Sequence, residues 1–287
     1  MQKYIPERDN FVFLLTTFNR CSTTLRCLSE IESQVPNFLA VVADDDSEDG
    51  TPEYIHEYFP SVRVVQTGGD RFWAAGMKLA QDLALEIFPE LDLVFFLNDD
   101  VILKPDTVQR MLDLSRLYPD SVIVGSVIDP KTSCVTYGGL RKNGLHPLAF
   151  ELINIVSTPK EVEAFHGNLL LIPKEVLLGV GGIDGSFQHA YADFDLALRL
   201  RKKSVKAYLL PSVAGYCSPN SLDTSNLSLI ARFRFSFSPK GRPFKSQYRY
   251  MKRHGPPMIW FFFVISPYLR VLSEGVNNAL GIRRHKN

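Results

Sequence analysis

The chain has 287 residues, 45% of them hydrophobic and 22% charged, with 32 Lys and Arg against 31 Asp and Glu. That apolar share excludes a mainly disordered chain, and the length admits one large domain or two small ones. The net charge of +1 hides a split: residues 1–223 carry 20 basic and 30 acidic side chains, whereas residues 224–287 carry 12 basic ones and Glu274 as the sole acid. In chain order, short β-rich apolar runs stand at Phe11–Leu15, Phe38–Ala43, Val62–Gln66, Leu91–Leu97 and Ser121–Ile128. Segments with helical spacing lie between them, at Thr23–Gln34, Pro52–Phe59, Ala74–Phe88 and Pro105–Leu117. Strand and helix in alternation, with nearly continuous apolar strands, predict an α/β fold whose mostly parallel sheet carries helices on both faces. From about residue 130 the alternation weakens, and Tyr137-Gly138-Gly139 and Lys142-Asn143-Gly144 read as turns of an antiparallel hairpin region.

Cys21, Cys27, Cys134 and Cys217 form no CxxC pair and are too sparse for a disulfide framework. The first ten residues hold no apolar leader core, and the longest apolar run, Met258–Ile265, is far short of the ~20 residues that span a bilayer. A reduced, cytoplasmic setting is the expectation. No GxGxxG follows the first strand, and neither a GxxxxGK[ST] loop nor an HExxH pair occurs, which argues against a dinucleotide fold, a phosphate loop and a zinc protease helix.

Ligands of such sheets bind beyond the carboxyl ends of the strands. There the sequence places Thr16-Thr17-Phe18-Asn19-Arg20, the acidic run Asp44-Asp45-Asp46, and Asn98-Asp99-Asp100. Two carboxylates leaving a buried strand suit a hard divalent cation shared with a diphosphate, and strand alternation favours Asp100 as the direct ligand. The same residues also read as solvated turns and helix caps, as does Asp193 at the start of an apparent helix from Ala192. Taken singly, none of these segments separates the two readings.

Together and in order they resemble the inverting family 2 glycosyltransferases of the GT-A fold, over about residues 11–217. Thr16–Arg20 matches the family's T-Y-N-R opening, Asp44–Thr51 its D-N-G-S-x-D-G-T loop, and Asp70–Met77 its N-x-G-x-a-G-G segment. Asn98-Asp99-Asp100 falls at the DxD position, His166-Gly167-Asn168 before the catalytic helix, and Ala192–Arg199 on the E-D-x-D-L-x-x-R signature. The resemblance implies a nucleotide site lined by Thr16, Phe18, Arg20 and Asp44, with Lys78, Asn98 and Asp99 on the same donor side. It implies Mg²⁺ or Mn²⁺ at Asp100 and Asp193 as the base that deprotonates an acceptor hydroxyl. Trp73, His166, Gly167, Asn168 and Asp195 fall to the acceptor or to the groups behind it. Departures from the pattern are Asp45 and Asp46 for Asn-Gly, Ala192 for Glu, Lys78 near a common Asn, and Cys217 where many relatives carry a His.

The domain division expected is 1–223 for the glycosyltransferase domain and 224–287 for a basic, aromatic, helical extension. Its cations and aromatics, next to the apolar stretch Met258–Leu272, suit a helix lying on an anionic membrane, and the acidic body argues against nucleic acid. The competing account packs Trp260–Phe263 against the body. The expected activity is transfer of a sugar from a UDP-hexose or dTDP-rhamnose donor to a growing, lipid-linked surface polysaccharide, at the inner face of the cell membrane. The alternative is a nucleotide-sugar-binding protein of the same fold that has lost catalysis.

Overall fold

The computed structural model describes residues 10–188, 190–220, 228–238, 241 and 243–279. The division expected at residue 223 lies outside them. The first half runs β1 (Phe11–Thr17), α1 (Cys21–Gln34), β2 (Leu39–Asp44), α2 (Thr51–Tyr58), β3 (Arg63–Gln66), α3 (Phe72–Ile87) and β4 (Leu93–Leu97). Next come β5 (Ile102–Leu103), α4 (Thr107–Leu117), β6 (Val122–Val124), β7 (Val127–Ile128), β8 (Val135–Tyr137), β9 (Gly139–Lys142) and β10 (Phe150–Leu152). After them lie β11 (Lys160–Val162), β12 (Ala164–Phe165), β13 (Leu169–Pro173), α5 (Lys174–Leu178), α6 (Ala192–Lys202), β14 (Ala207–Leu209) and β15 (Gly215–Tyr216). The C-terminal segment supplies α7 (Leu229–Phe237), α8 (Phe244–His254) and α9 (Trp260–Ala279).

The main sheet has eight strands in the order β11-β14-β6-β13-β4-β1-β2-β3. Strands β4, β1, β2 and β3 pair in parallel, as the strand and helix alternation predicts. Their side chains alternate between two cores. Val12, Leu14, Val41, Val94 and Phe96 meet α3 and α6 on one face, while Phe13, Leu15, Val42, Phe95 and Leu97 meet α1, α2 and α4 on the other.

Two features depart from the sequence-based expectation. The run Ser121–Ile128 is two strands in two sheets, divided at Gly125. A Cβ on Gly125 would lie 2.4 Å from Leu169 Cδ2, so the chain bends there because β13 passes too close for any side chain. The second is β13 itself, which enters the centre of the sheet antiparallel to both β4 and β6. That insertion brings residues 166–168, just before β13, to the carboxyl end of β4, where Asn98 N–H donates to Asn168 O at 2.9 Å. The hairpin region is present, with β9 antiparallel to β10 and β12.

The C-terminal segment is not free of the body. Tyr250 and Met251 of α8 are fully buried in the same core as Leu196 and Phe165, and Trp260 and Phe263 pack against it.

Candidate active site

The site begins where β4 ends. Asp99 is nearly buried and accepts hydrogen bonds from Arg20 Nη1 at 2.9 Å and from the Thr24 hydroxyl at 3.2 Å. Thr24 is in turn tied to the Thr17 hydroxyl at 2.7 Å, so the first helix and first strand both hold this carboxylate. Burial pushes the Asp99 carboxyl up, against the pull of the Arg20 charge. Asp100 is more open: Arg20 Nη1 stands 3.4 Å from it, and the Cys217 thiol donates to its Oδ1 at 3.6 Å. Burial, and then the Asp100 charge, push the Cys217 thiol up to about 12, which keeps it a protonated donor to Asp100.

That donor set bears on a metal. Asp99 is nearly buried and engaged on both oxygens by Arg20 and Thr24, and no group of three or more His, Cys, Asp or Glu side chains is arranged to hold an ion among the described residues. Asp100 keeps accepting capacity on the exposed side. One open carboxylate fits the way Mg²⁺ or Mn²⁺ is held by one or two protein oxygens with substrate phosphates completing the shell.

At the end of β2 the three aspartates do different work. Asp44 is fully buried, and Ser47 occupies both its oxygens, with N–H at 2.9 Å and Oγ at 2.6 Å. Asp45 accepts from the N–H groups of Arg71 and Phe72, each at 3.0 Å, and from the Thr67 hydroxyl, and so caps the N-terminus of α3 from a distant loop. Asp46 accepts from Gly68 N–H at 3.2 Å. Thr16 is half-buried against α3, where a Cβ on Gly76 would lie 3.1 Å from its Cγ2. Phe18 is 55% exposed, an open aromatic face at the end of β1. Lys78 is not brought to these groups; its ammonium pairs with Asp82 one turn along α3.

The other half of the site is the start of α6. Asp193 is half-buried; its Oδ2 accepts from Gly167 N–H at 3.2 Å and its Oδ1 from Phe194 N–H at 2.9 Å. Carboxylates in the first helical turn are favoured by the helix dipole. Gly167 sits between two side chains: a Cβ there would lie 2.6 Å from Trp73 Cη2 and 3.3 Å from Asp193 Cβ. Trp73 Nε1 donates to Asn98 Oδ1 at 2.8 Å. One unbroken run of contacts thus joins Asp193, Gly167, Trp73 and Asn98 to the two carboxylates of the β4 end.

His166 Nδ1 accepts from Gly138 N–H at 3.3 Å, and its ring lies edge-on to Tyr137 and Phe194. Burial lowers its pKa although the Asp193 charge opposes this, so the ring is neutral at pH 7. Asp195 is fully buried and faces away from solvent, bound by Arg199 at 2.7 Å, Arg253 at 2.7 Å and His254 at 2.8 Å. Its place is behind Asp193, not in contact with the exposed rim. Sequence reasoning did not find Asp45 as the cap of α3, nor the α8 residues that reach Asp195; their partners lie tens of residues away, and no local pattern signals them.

A parallel α/β sheet crossed by one central antiparallel strand, with carboxylates at the β4 end and at a facing helix start, is the GT-A class of fold. The chain belongs to the glycosyl transferase family 2, whose model matches residues 13–177. It is 24% identical over 195 residues to the N-acetylglucosaminyl-diphospho-decaprenol L-rhamnosyltransferase of two strains of Mycobacterium tuberculosis; the match spans 60% of this chain and 64% of that protein. Among solved structures it resembles the mannosyltransferase PcManGT from Pyrobaculum calidifontis in complex with GDP-Man and Mn²⁺, with TM-score 0.58, 17% identity, and 97% of this chain and 77% of that one covered. It also resembles GalNAc-T7 with UDP, GalNAc and Mn²⁺, with TM-score 0.61, 12% identity, and 94% and 57% covered. A third likeness is to residues 1–349 of S. aureus TarS, with TM-score 0.57, 13% identity, and 96% and 93% covered. These structural likenesses show the fold.

Proposed function

We propose that the protein is an inverting glycosyltransferase that moves a sugar from a nucleotide-diphosphate donor, a UDP-hexose or dTDP-rhamnose, to a lipid-linked glycan. The observation that supports this reading is the contact run from Asp193 through Gly167 and Trp73 to Asn98, which joins the proposed base to the proposed diphosphate side. Asp193 takes the proton of an acceptor hydroxyl while it attacks the anomeric carbon from the face opposite the leaving diphosphate, and this single displacement inverts the centre. Thr16, Phe18 and Arg20 line the nucleotide side; Asp44, fully buried under the Ser47 turn, meets a base or ribose only if that turn opens. A divalent cation at Asp100 would neutralise charge on the leaving diphosphate. The rhamnosyltransferase relative, whose name specifies a diphospho-decaprenol acceptor, supports the lipid-linked part.

The C-terminal helices support contact with an anionic membrane surface through residues 232–272. Among the described residues, no helix is long and apolar enough to cross a membrane. Phe261, Phe262, Ile265 and Leu269 of α9 are exposed, and Lys245, Tyr248, Arg249 and Lys252 of the neighbouring α8 line one cationic and aromatic groove. Asp193→Asn tests the base. Turnover should fall about 10²–10⁴-fold while UDP or dTDP affinity holds, and near-normal turnover would refute the assignment. Lys245→Glu with Lys252→Glu should abolish sedimentation with anionic vesicles; unchanged sedimentation would refute the membrane contact.

A further inference from the structure

The residues on either side of Asp193 are held from outside their own helix. Tyr191, the residue just before α6, has a left-handed backbone with φ 77°, a conformation that is strained for a bulky side chain and needs tertiary support. Its hydroxyl donates to Gln247 Oε1 at 3.2 Å, and its ring lies 5.4 Å from that of Tyr250. Gln247 is fully buried and donates to Phe263 O at 2.8 Å, which ties this contact to α9. Two residues beyond Asp193, Asp195 Oδ1 accepts from Arg253 Nη1 at 2.7 Å and from His254 Nε2 at 2.8 Å. Arg253 also reaches Asp184 at 2.9 Å, on the loop leading to α6. All these anchors come from α8.

We propose that Arg253 and His254 are positioning residues for Asp193, acting through Asp195 to fix the first turn of α6 against Gly167. The proposal rests on Asp193 being the catalytic base. Ordinary packing would explain one contact between α8 and α6. It does not account for a fully buried carboxylate in the first turn of α6 that draws two of its three partners from the last turn of α8. Arg199 reaches Asp195 from within α6 and is present whether or not α8 is docked. What α8 adds is a fixed direction for the turn that carries Asp193. Charge-assisted hydrogen bonds to a buried acid are the strong, directional kind.

The test uses the full chain with His254→Ala, His254→Gln and Arg253→Met. The readout is hydrogen exchange of the Gly167 and Phe194 amides, which donate to Asp193, compared with amides of β1 and β4. His254→Ala and Arg253→Met should speed exchange at Gly167 and Phe194 at least tenfold and leave β1 and β4 unchanged. His254→Gln, whose side-chain amide can donate to Asp195, should restore most of the protection. Exchange that is unchanged at these amides, or that rises equally throughout the sheet, overturns the proposal, as does a glutamine variant no better than alanine. A matching loss of turnover with unaltered UDP affinity supports it. If Asp193→Asn retained turnover, the base assignment alone would fall and the exchange result would still report the geometry.

Discussion

Replacing Gly167 by alanine tests the contact run at its narrowest point. The added methyl would lie 2.6 Å and 2.7 Å from two indole carbons of Trp73 and 3.3 Å from Asp193 Cβ. Carbon atoms rest about 3.5–4.0 Å apart, so Trp73 must yield by roughly 1 Å. Its freedom to do so is limited by the bond from Nε1 to Asn98, and a swing that breaks this bond costs about 0.5–1.5 kcal/mol. Overpacking of this kind costs about 1–3 kcal/mol, and for a chain of this size each kcal/mol lowers Tm by roughly 2–4 °C. A shift of ~1 Å in Trp73, within the run of contacts that holds Asp193, is of the size that costs about 10²-fold in rate. Gly167→Ala should therefore show a modest fall in Tm, UDP or dTDP affinity within twofold of the parent, and a fall in kcat of about 100-fold. Trp73→Phe removes the crowding ring, so the double variant should lose less than the sum of the single losses. A Gly167→Ala protein with unchanged kcat would refute the idea that Gly167 spaces Asp193 from Trp73.

Three further outcomes follow from individual contacts. Asp45→Ala removes the acceptor for the Arg71 and Phe72 amides at the start of α3 and should lower Tm by roughly 1–8 °C by calorimetry, with Asp45→Asn recovering part; an unchanged Tm would deny the cap. Cys217, with its thiol near 12, should resist iodoacetamide at pH 8 under conditions that label the exposed Cys134, and equal labelling by mass spectrometry would contradict its protonated state. Burial raises the Asp195 carboxyl, but His254, Arg199 and Arg253 outweigh it and hold the pKa below the usual 3.8. The stability it contributes is therefore complete above about that value and lost as pH falls through the lowered one. Asp195→Asn should flatten the acid limb of the Tm profile, and an acid limb as steep as the parent's would show that Asp195 is not its source.

What was legible in the sequence is what depends on neighbours along the chain. Strands β1 to β4 and helices α1 to α4 announce themselves through apolar periodicity, and their ends fall within a few residues of the predicted runs. The carboxylates of the site are legible because strand ends concentrate them at one rim. The direction of β13 is not legible, since an apolar run of five residues reads alike whether it enters a sheet parallel or antiparallel. Asp45 is misread for a similar reason. Its acid beside Asp44 looks like local turn chemistry, whereas its partners begin at Thr67.

The charge split along the chain takes on a different meaning for the same reason. A sequence sum treats the acids of residues 1–223 and the bases of residues 224–287 as separate objects facing separate partners. In the fold, Arg253 turns inward to Asp184 and Asp195, while Lys245 and Lys252 on the same helix stay exposed. A buried carboxylate such as Asp195 is tolerable only with cations fixed beside it, because an unpaired buried charge costs several kcal/mol. Part of the basic excess is therefore internal counter-charge for α6, and only the remainder is free for an outside surface. It follows that removing residues 232–287 is not a clean test of membrane contact, since it would also strip Asp195 of two of its three partners; substitutions confined to Lys245 and Lys252 separate the two roles.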